Sequence, residues 1–254
     1  MNKRILPITG SLAVLILPPA IAFLTGIDSL YVIVLIPLLF VLWRLSGLHW
    51  TSIGLITGTK HGYILSLLYP VWVILAAVLI LLGTGNLQTS AISLDTVVQI
   101  VTAFLFTFIG VIFTEEGFFR GWLWGILEKN EYRSSIVLIW TSYLYCLWHL
   151  AAVLVLPDLR MPFTSIPVYV FNILLIGFNF GLIRQISGSI FPSSIAHSLW
   201  NALLYPLFGY GTTTGALNLS SYKIFDPERG YIGTGLNLII FMVLWKLSQK
   251  RASE

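Results

Sequence analysis

The chain has 254 residues, of which 57% are hydrophobic and 9% charged, with a formal net charge of +4. A soluble domain is about 45–50% apolar and about 25% charged. The composition therefore excludes a water-soluble globule and implies an all-α, polytopic transmembrane helical bundle. The modest positive charge is explained by lysines and arginines in cytoplasmic loops rather than by nucleic-acid binding. A single Cys excludes an internal disulfide.

Eight spans are expected. The first, Ile5–Leu24, begins like a signal peptide, with Lys3-Arg4, an apolar run and Ala20-Ile21-Ala22. Pro18-Pro19 within the run and the spans that follow at once favour an uncleaved helix. The second, Ser29–Trp43, is short and is expected to extend toward Leu48. The third is Gly62–Leu82. His49 and His61 lie in the loop between these two, among ordinary loop residues, and receive no role.

The fourth span, Thr96–Leu127, would be about 48 Å long as a helix, so it must tilt, kink or protrude. Gly117 and Gly121 are the expected flex points. Two glutamates, Glu115 and Glu116, interrupt its apolar run, and Arg120 follows. An ionisable group at bilayer depth is costly and marks function by default. Glu116 and Arg120, four apart on one helix face, can pair and offset each other's burial. Glu115 points elsewhere and is the freer carboxylate.

Glu128-Lys129-Asn130-Glu131-Tyr132-Arg133 forms a cytoplasmic hairpin to the fifth span, Ser135–Leu156. That span holds Tyr145 and His149, again four apart, and Cys146, read as a small buried apolar residue. The sixth, Thr164–Ile183, carries Gly177-Phe178-Asn179-Phe180-Gly181, a GxxxG packing stripe. The seventh, Ser189–Phe208, aligns Ser193, His197 and Asn201 on one face. A Gly-, Thr- and Ser-rich outer loop, Gly209–Gly230, is expected to be mobile or folded over the outer face. The eighth span is Tyr231–Leu247.

Orientation follows from the basic residues. Lys3, Arg4, Arg44, Lys60, Lys129, Arg133, Arg184, Lys246, Lys250 and Arg251 fall on one side, and Arg160, Lys223 and Arg229 on the other. Both termini are therefore expected in the cytoplasm of a multi-pass cell-membrane protein. Measured inward from the cytoplasmic turns, Glu115 is about 18–20 Å deep, His149 about 22–24 Å, His197 about 12 Å and Asn201 about 18 Å. Three helices could thus bring a carboxylate, two imidazoles and an amide into one layer. Plainer roles are open to most of them. A lone intramembrane His, or His197 with Asn201, can serve as interhelical hydrogen-bonding glue. Glu116 with Arg120 can be purely structural.

Together these residues resemble the CPBP family of intramembrane proteases, also called the CAAX protease or Abi, bacteriocin-processing, family. Glu115-Glu116-Gly117-Phe118-Phe119-Arg120 matches its Glu-Glu-x-x-x-Arg motif. Tyr145-Cys146-Leu147-Trp148-His149 matches its second motif, with Tyr where Phe is usual. His197-Ser198-Leu199-Trp200-Asn201 matches His-x-x-x-Asn. The resemblance covers roughly Thr96 to Phe208. It divides the chain into N-terminal helices (1–95), a protease core (96–208), and an outer loop with a last helix (209–254).

The resemblance implies peptide-bond hydrolysis inside the membrane. Glu115 and His149 would activate water, and His197 and Asn201 would steady the oxyanion. Glu116, Arg120 and Tyr145 would support them. Water is expected to reach the site from the cytoplasmic side. A divalent metal such as zinc, held by Glu115, His149 and His197, is the alternative to metal-independent catalysis. The lack of a His-Glu-x-x-His helix, and the presence of Asn, favour the metal-independent form. The expected partners are membrane lipid and a membrane-associated peptide or protein, with no nucleic acid. Two other functions compete: a non-catalytic bacteriocin-immunity or membrane-binding protein of the same fold, and a transporter using Glu, Arg and His as an ion path.

Overall fold

The computed structural model describes residues 5–87 and 92–252. Lys3 and Arg4, and the side chain of Arg251, which count toward the expected cytoplasmic charge, lie outside that description. The chain is a helical bundle: α1 (Ile5–Thr25), α2 (Leu30–Ile33), α3 (Leu35–Ser46), α4 (Lys60–Gly83), α5 (Leu94–Phe113), α6 (Trp124–Lys129), α7 (Ser134–Val155), α8 (Ile166–Ser187), α9 (Ile190–Phe208), α10 (Tyr222–Phe225) and α11 (Tyr231–Ala252). A π-helical segment, Gly117–Leu123, joins α5 to α6. The described sheet is one two-stranded hairpin, β1 (Gly209–Tyr210) with β2 (Thr213–Thr214).

Among the described residues, six helices are long and apolar enough to cross a membrane: Ile5–Thr25, Lys60–Gly83, Leu94–Lys129, Ser134–Val155, Phe163–Ser187 and Tyr231–Lys250. The two remaining expected spans differ for separate reasons. Leu30–Ser46 is a shorter apolar stretch interrupted between α2 and α3. Helix α9 carries Ser193, Ser194, His197, Ser198 and Asn201, which dilute its hydropathy. It packs instead through the middle of the bundle, against α4, α5 and α8. Leu, Ile and Phe side chains stand exposed on α1, α4, α5 and α11, as lipid-facing surfaces require.

The expected single fourth helix is broken. Thr114 leaves helical geometry at φ −124° and ψ −102°, and the π segment follows. A π turn adds a residue to the helical circuit and often occurs at functional sites. Gly117 permits it, because a Cβ there would lie 2.2 Å from the Ile112 carbonyl oxygen. The break turns Glu115 toward α7 and Glu116 toward α9.

Small residues set the helix spacing elsewhere. A Cβ on Gly177 would meet the Tyr145 ring at 3.2 Å, and one on Gly181 would meet the Leu138 side chain at 2.5 Å. The GxxxG stripe is therefore the α7–α8 packing seam. Cys146 is buried, as expected, and its Sγ donates to the Val170 carbonyl at 3.2 Å.

Candidate active site

The two halves of the Glu115-Glu116 pair do different work. Glu116 is fully buried, and its Oε1 accepts from Arg120 Nη1 at 3.0 Å and from His197 Nδ1 at 3.0 Å. Arg120 is fully buried as well. Its Nη2 donates to the Gly177 carbonyl at 2.8 Å, and its guanidinium lies 4.4 Å from the Tyr145 ring centre. The expected i, i+4 pair is present, and it extends through Glu116 to the histidine of α9. Hydrogen bonds are strengthened in a low-dielectric interior, so this contact orients the α9 imidazole.

Glu115 faces His149 across α7, with Oε2 3.5 Å from Nε2. The other imidazole nitrogen, Nδ1, lies 3.0 Å from the Tyr145 carbonyl. A carbonyl can only accept, so Nδ1 carries the proton and donates, and Nε2 of the neutral ring presents its lone pair toward Glu115. Glu115 Oε2 is buried and accepts no hydrogen bond. An acceptor oxygen and an acceptor nitrogen thus look into the same space, an arrangement that a donor with two protons satisfies.

Glu115, His149, His197 and Asn201 all line one cavity of ≈ 180 Å³. Tyr145 lies beneath it, its ring 4.2 Å from that of His149 and 6.0 Å from that of His197. Tyr145 also lies over Arg120, so it packs as a spacer between the ion cluster and the imidazoles. His197 and His149 each commit Nδ1, to Glu116 and to the Tyr145 carbonyl, which leaves Nε2 of each ring uncommitted; among the described residues no three His, Cys, Asp or Glu side chains converge as a metal group.

The cavity has members that the sequence reading missed. Tyr210, Gly211, Glu228 and Arg229 line it from the 209–230 loop, which folds over the bundle as a fixed cap. Trp200 Nε1 donates to Glu228 Oε2 at 3.1 Å. Asp226 is buried and accepts from the backbone N–H groups of Glu228 and Arg229 at 2.8 and 2.7 Å. Its Oδ2 also accepts from Arg229 Nε and Nη2. Burial, with Asp226 alongside, pushes the Glu228 carboxyl up to about 7. Two intramembrane amides anchor the turn. Asn172 Nδ2 donates to the Pro227 and Glu228 carbonyls at 2.9 and 2.8 Å, and Asn237 Nδ2 donates to Asn172 Oδ1 at 2.9 Å. Buried amides on α8 and α11 were the available signal for this cap.

The cavity is also lined by Leu159, Met161, Gly209, Tyr210, Gly211 and Arg229. These residues lie in or beside the loops that the charge pattern assigns to the outer side.

No curated protein matches the chain. No solved structure matches it. Residues 97–203 match the family model described as type II CAAX prenyl endopeptidase Rce1-like. That match runs from within α5 to within α9, covers less than half of the chain, and includes the carboxylates, imidazoles and amide that converge here; over this core the chain is similar to the CAAX protease family that its motifs resemble.

Proposed function

We propose that the chain is an intramembrane endopeptidase that hydrolyses a peptide bond of a membrane-associated peptide or protein, with Glu115 and His149 activating water. The observation that carries this reading is the facing pair, Glu115 Oε2 and His149 Nε2, at 3.5 Å on the wall of one cavity. A water donating to both has its oxygen lone pair free to attack a carbonyl carbon. As the C–O bond forms, one water proton passes to the pair and negative charge moves to the former carbonyl oxygen. The proton then returns to the amide nitrogen, the C–N bond breaks, and the amine leaves neutral.

The oxyanion needs donors already in place. The Asn201 amide supplies one. His197 supplies another when its ring is doubly protonated, because Nδ1–H is committed to Glu116 and only a second proton makes Nε2 a donor. That imidazole is paired with Glu116, and Glu116 with Arg120. No step uses a metal.

The purified protein in detergent or liposomes is expected to cleave a membrane peptide, and Glu115→Ala or His149→Ala to abolish the cleavage. Unchanged hydrolysis in both variants rejects the assignment. Asn201→Ala should lower kcat by about 10²–10³-fold, as removal of an oxyanion donor does elsewhere. A strong chelator should leave the rate unchanged.

A further inference from the structure

The two ends of the bundle are built differently around the site. Beneath it, the route is filled. Ile190, Ser193, Ser194 and His197 of α9 are buried, as are Glu116 and Arg120. The loop between α3 and α4 plugs what remains. The Ile190 N–H donates to the Gly54 carbonyl at 3.0 Å, and the Thr59 N–H donates to the Ser187 carbonyl at 3.1 Å. Arg184, a loop charge by sequence, is buried in the last turn of α8. Its Nε donates to the Arg120 carbonyl at 2.9 Å, and a Cβ on Gly54 would lie 2.7 Å from its Nη2. Above the site, the cavity runs to the cap and the α7–α8 loop.

Charge distinguishes the same two ends. The plugged end carries Arg44, Lys60, Lys129, Arg133, Lys246 and Lys250, while the cap end carries Arg160, Lys223 and Arg229. Among the described residues, the cap end also holds Asp28, Asp95, Asp158, Asp226 and Glu228, and the plugged end Glu128 and Glu131. Basic residues in short loops are retained in the cytoplasm. We propose that the chamber opens on the extracytoplasmic side and that its substrate is a membrane-anchored peptide whose scissile bond lies at the outer end of its anchor. A lipidated cytosolic tail would meet the plugged end. The substrate clause rests on the protease reading; the direction of opening does not.

Cys146 is the only cysteine, so a Cys146→Ala background permits single-cysteine labelling. Tyr210→Cys places a thiol on the cavity lip, Thr213→Cys one on the exposed hairpin, and Lys60→Cys one at the plugged end. In intact cells, a membrane-impermeant maleimide is expected to label the first two and to label Lys60→Cys only after permeabilisation. The reverse pattern overturns the proposal, and Thr213→Cys keeps the result readable should Tyr210→Cys fold poorly. The substrate clause is read with two single-span test peptides, carrying the cleavable segment at the outer or the cytoplasmic end. Cleavage of the outer one, stopped by labelling Tyr210→Cys, supports it. Cleavage of the cytoplasmic one alone overturns it. If neither is cut while labelling stays external, the substrate clause and the protease reading fall and the orientation stands.

Discussion

Glu116 shows how far one buried residue can reach. A single oxygen joins α9 to the π segment and the guanidinium of Arg120, which is tied in turn to α8 through the Gly177 carbonyl. Removing one partner of a buried ion pair strands the other, at a cost of about 3–5 kcal/mol. Arg120→Met is therefore expected to lower stability by that order, and Glu116→Gln combined with Arg120→Met to recover part of it. Thermal unfolding in detergent of both variants checks this; equal loss in the single and double variants would argue against a coupled pair. Glu228 offers the opposite sign of electrostatics. Its carboxyl is pushed up from 4.5 to about 7 in the fold, so between those values the folded state binds more protons than the unfolded chain. Stability from this group is therefore lost as pH rises across that window, and the loss is complete above about 7. Glu228→Gln keeps an acceptor for Trp200 and removes the titration. Its melting temperature should match wild type near pH 4.5 and exceed it at pH 8, and a constant difference across that range would remove the explanation.

The decisive element is the π segment, and it also marks what the sequence could tell. The i, i+4 pairs Glu116–Arg120 and Tyr145–His149 were legible because both partners ride one helical turn. The common depth of Glu115, His149, His197 and Asn201 was legible from helical rise alone. That Glu115 faces His149 followed from the family resemblance and not from helical spacing, which assumes an unbroken α5. The break at Thr114 resets the direction of every later side chain. Spacing alone makes Gly117 a flex point, whereas in the fold it lets the Ile112 carbonyl approach to where a methyl group would sit. Gly117→Ala should therefore cost about 1–3 kcal/mol through overpacking. It should also reduce hydrolysis beyond what lost stability explains, since relief of the clash rotates both carboxylates. Peptide cleavage measured well below the variant's melting temperature separates the two effects, and full activity there would show that the π turn does not set the site.

At the scale of the whole molecule, the cap is secured from inside the bilayer. Tyr69 of α4 donates to Asn237 Oδ1 at 2.8 Å, Asn237 of α11 donates to Asn172 of α8, and both amides hold the Pro227 carbonyl. One polar chain thus ties three helices to the turn that places Glu228 and Arg229 over the chamber. The loop's Gly-, Thr- and Ser-rich composition left mobility open, because the anchors lie far away in sequence on spans that read as plain lipid-crossing helices. Asn237→Leu removes the central member and leaves the Tyr69 hydroxyl and the Asn172 carbonyl oxygen without that partner. Each buried polar group so orphaned costs about 1–3 kcal/mol. The freed cap should become a substrate for added protease long before the helices do, with early cuts within residues 211–221 near the exposed hairpin. Limited proteolysis in liposomes, with cut sites read by mass, tests this. A cap as resistant as in the wild type would mean that Asp226 and Arg229 hold the turn by themselves and that the intramembrane amides serve only helix packing.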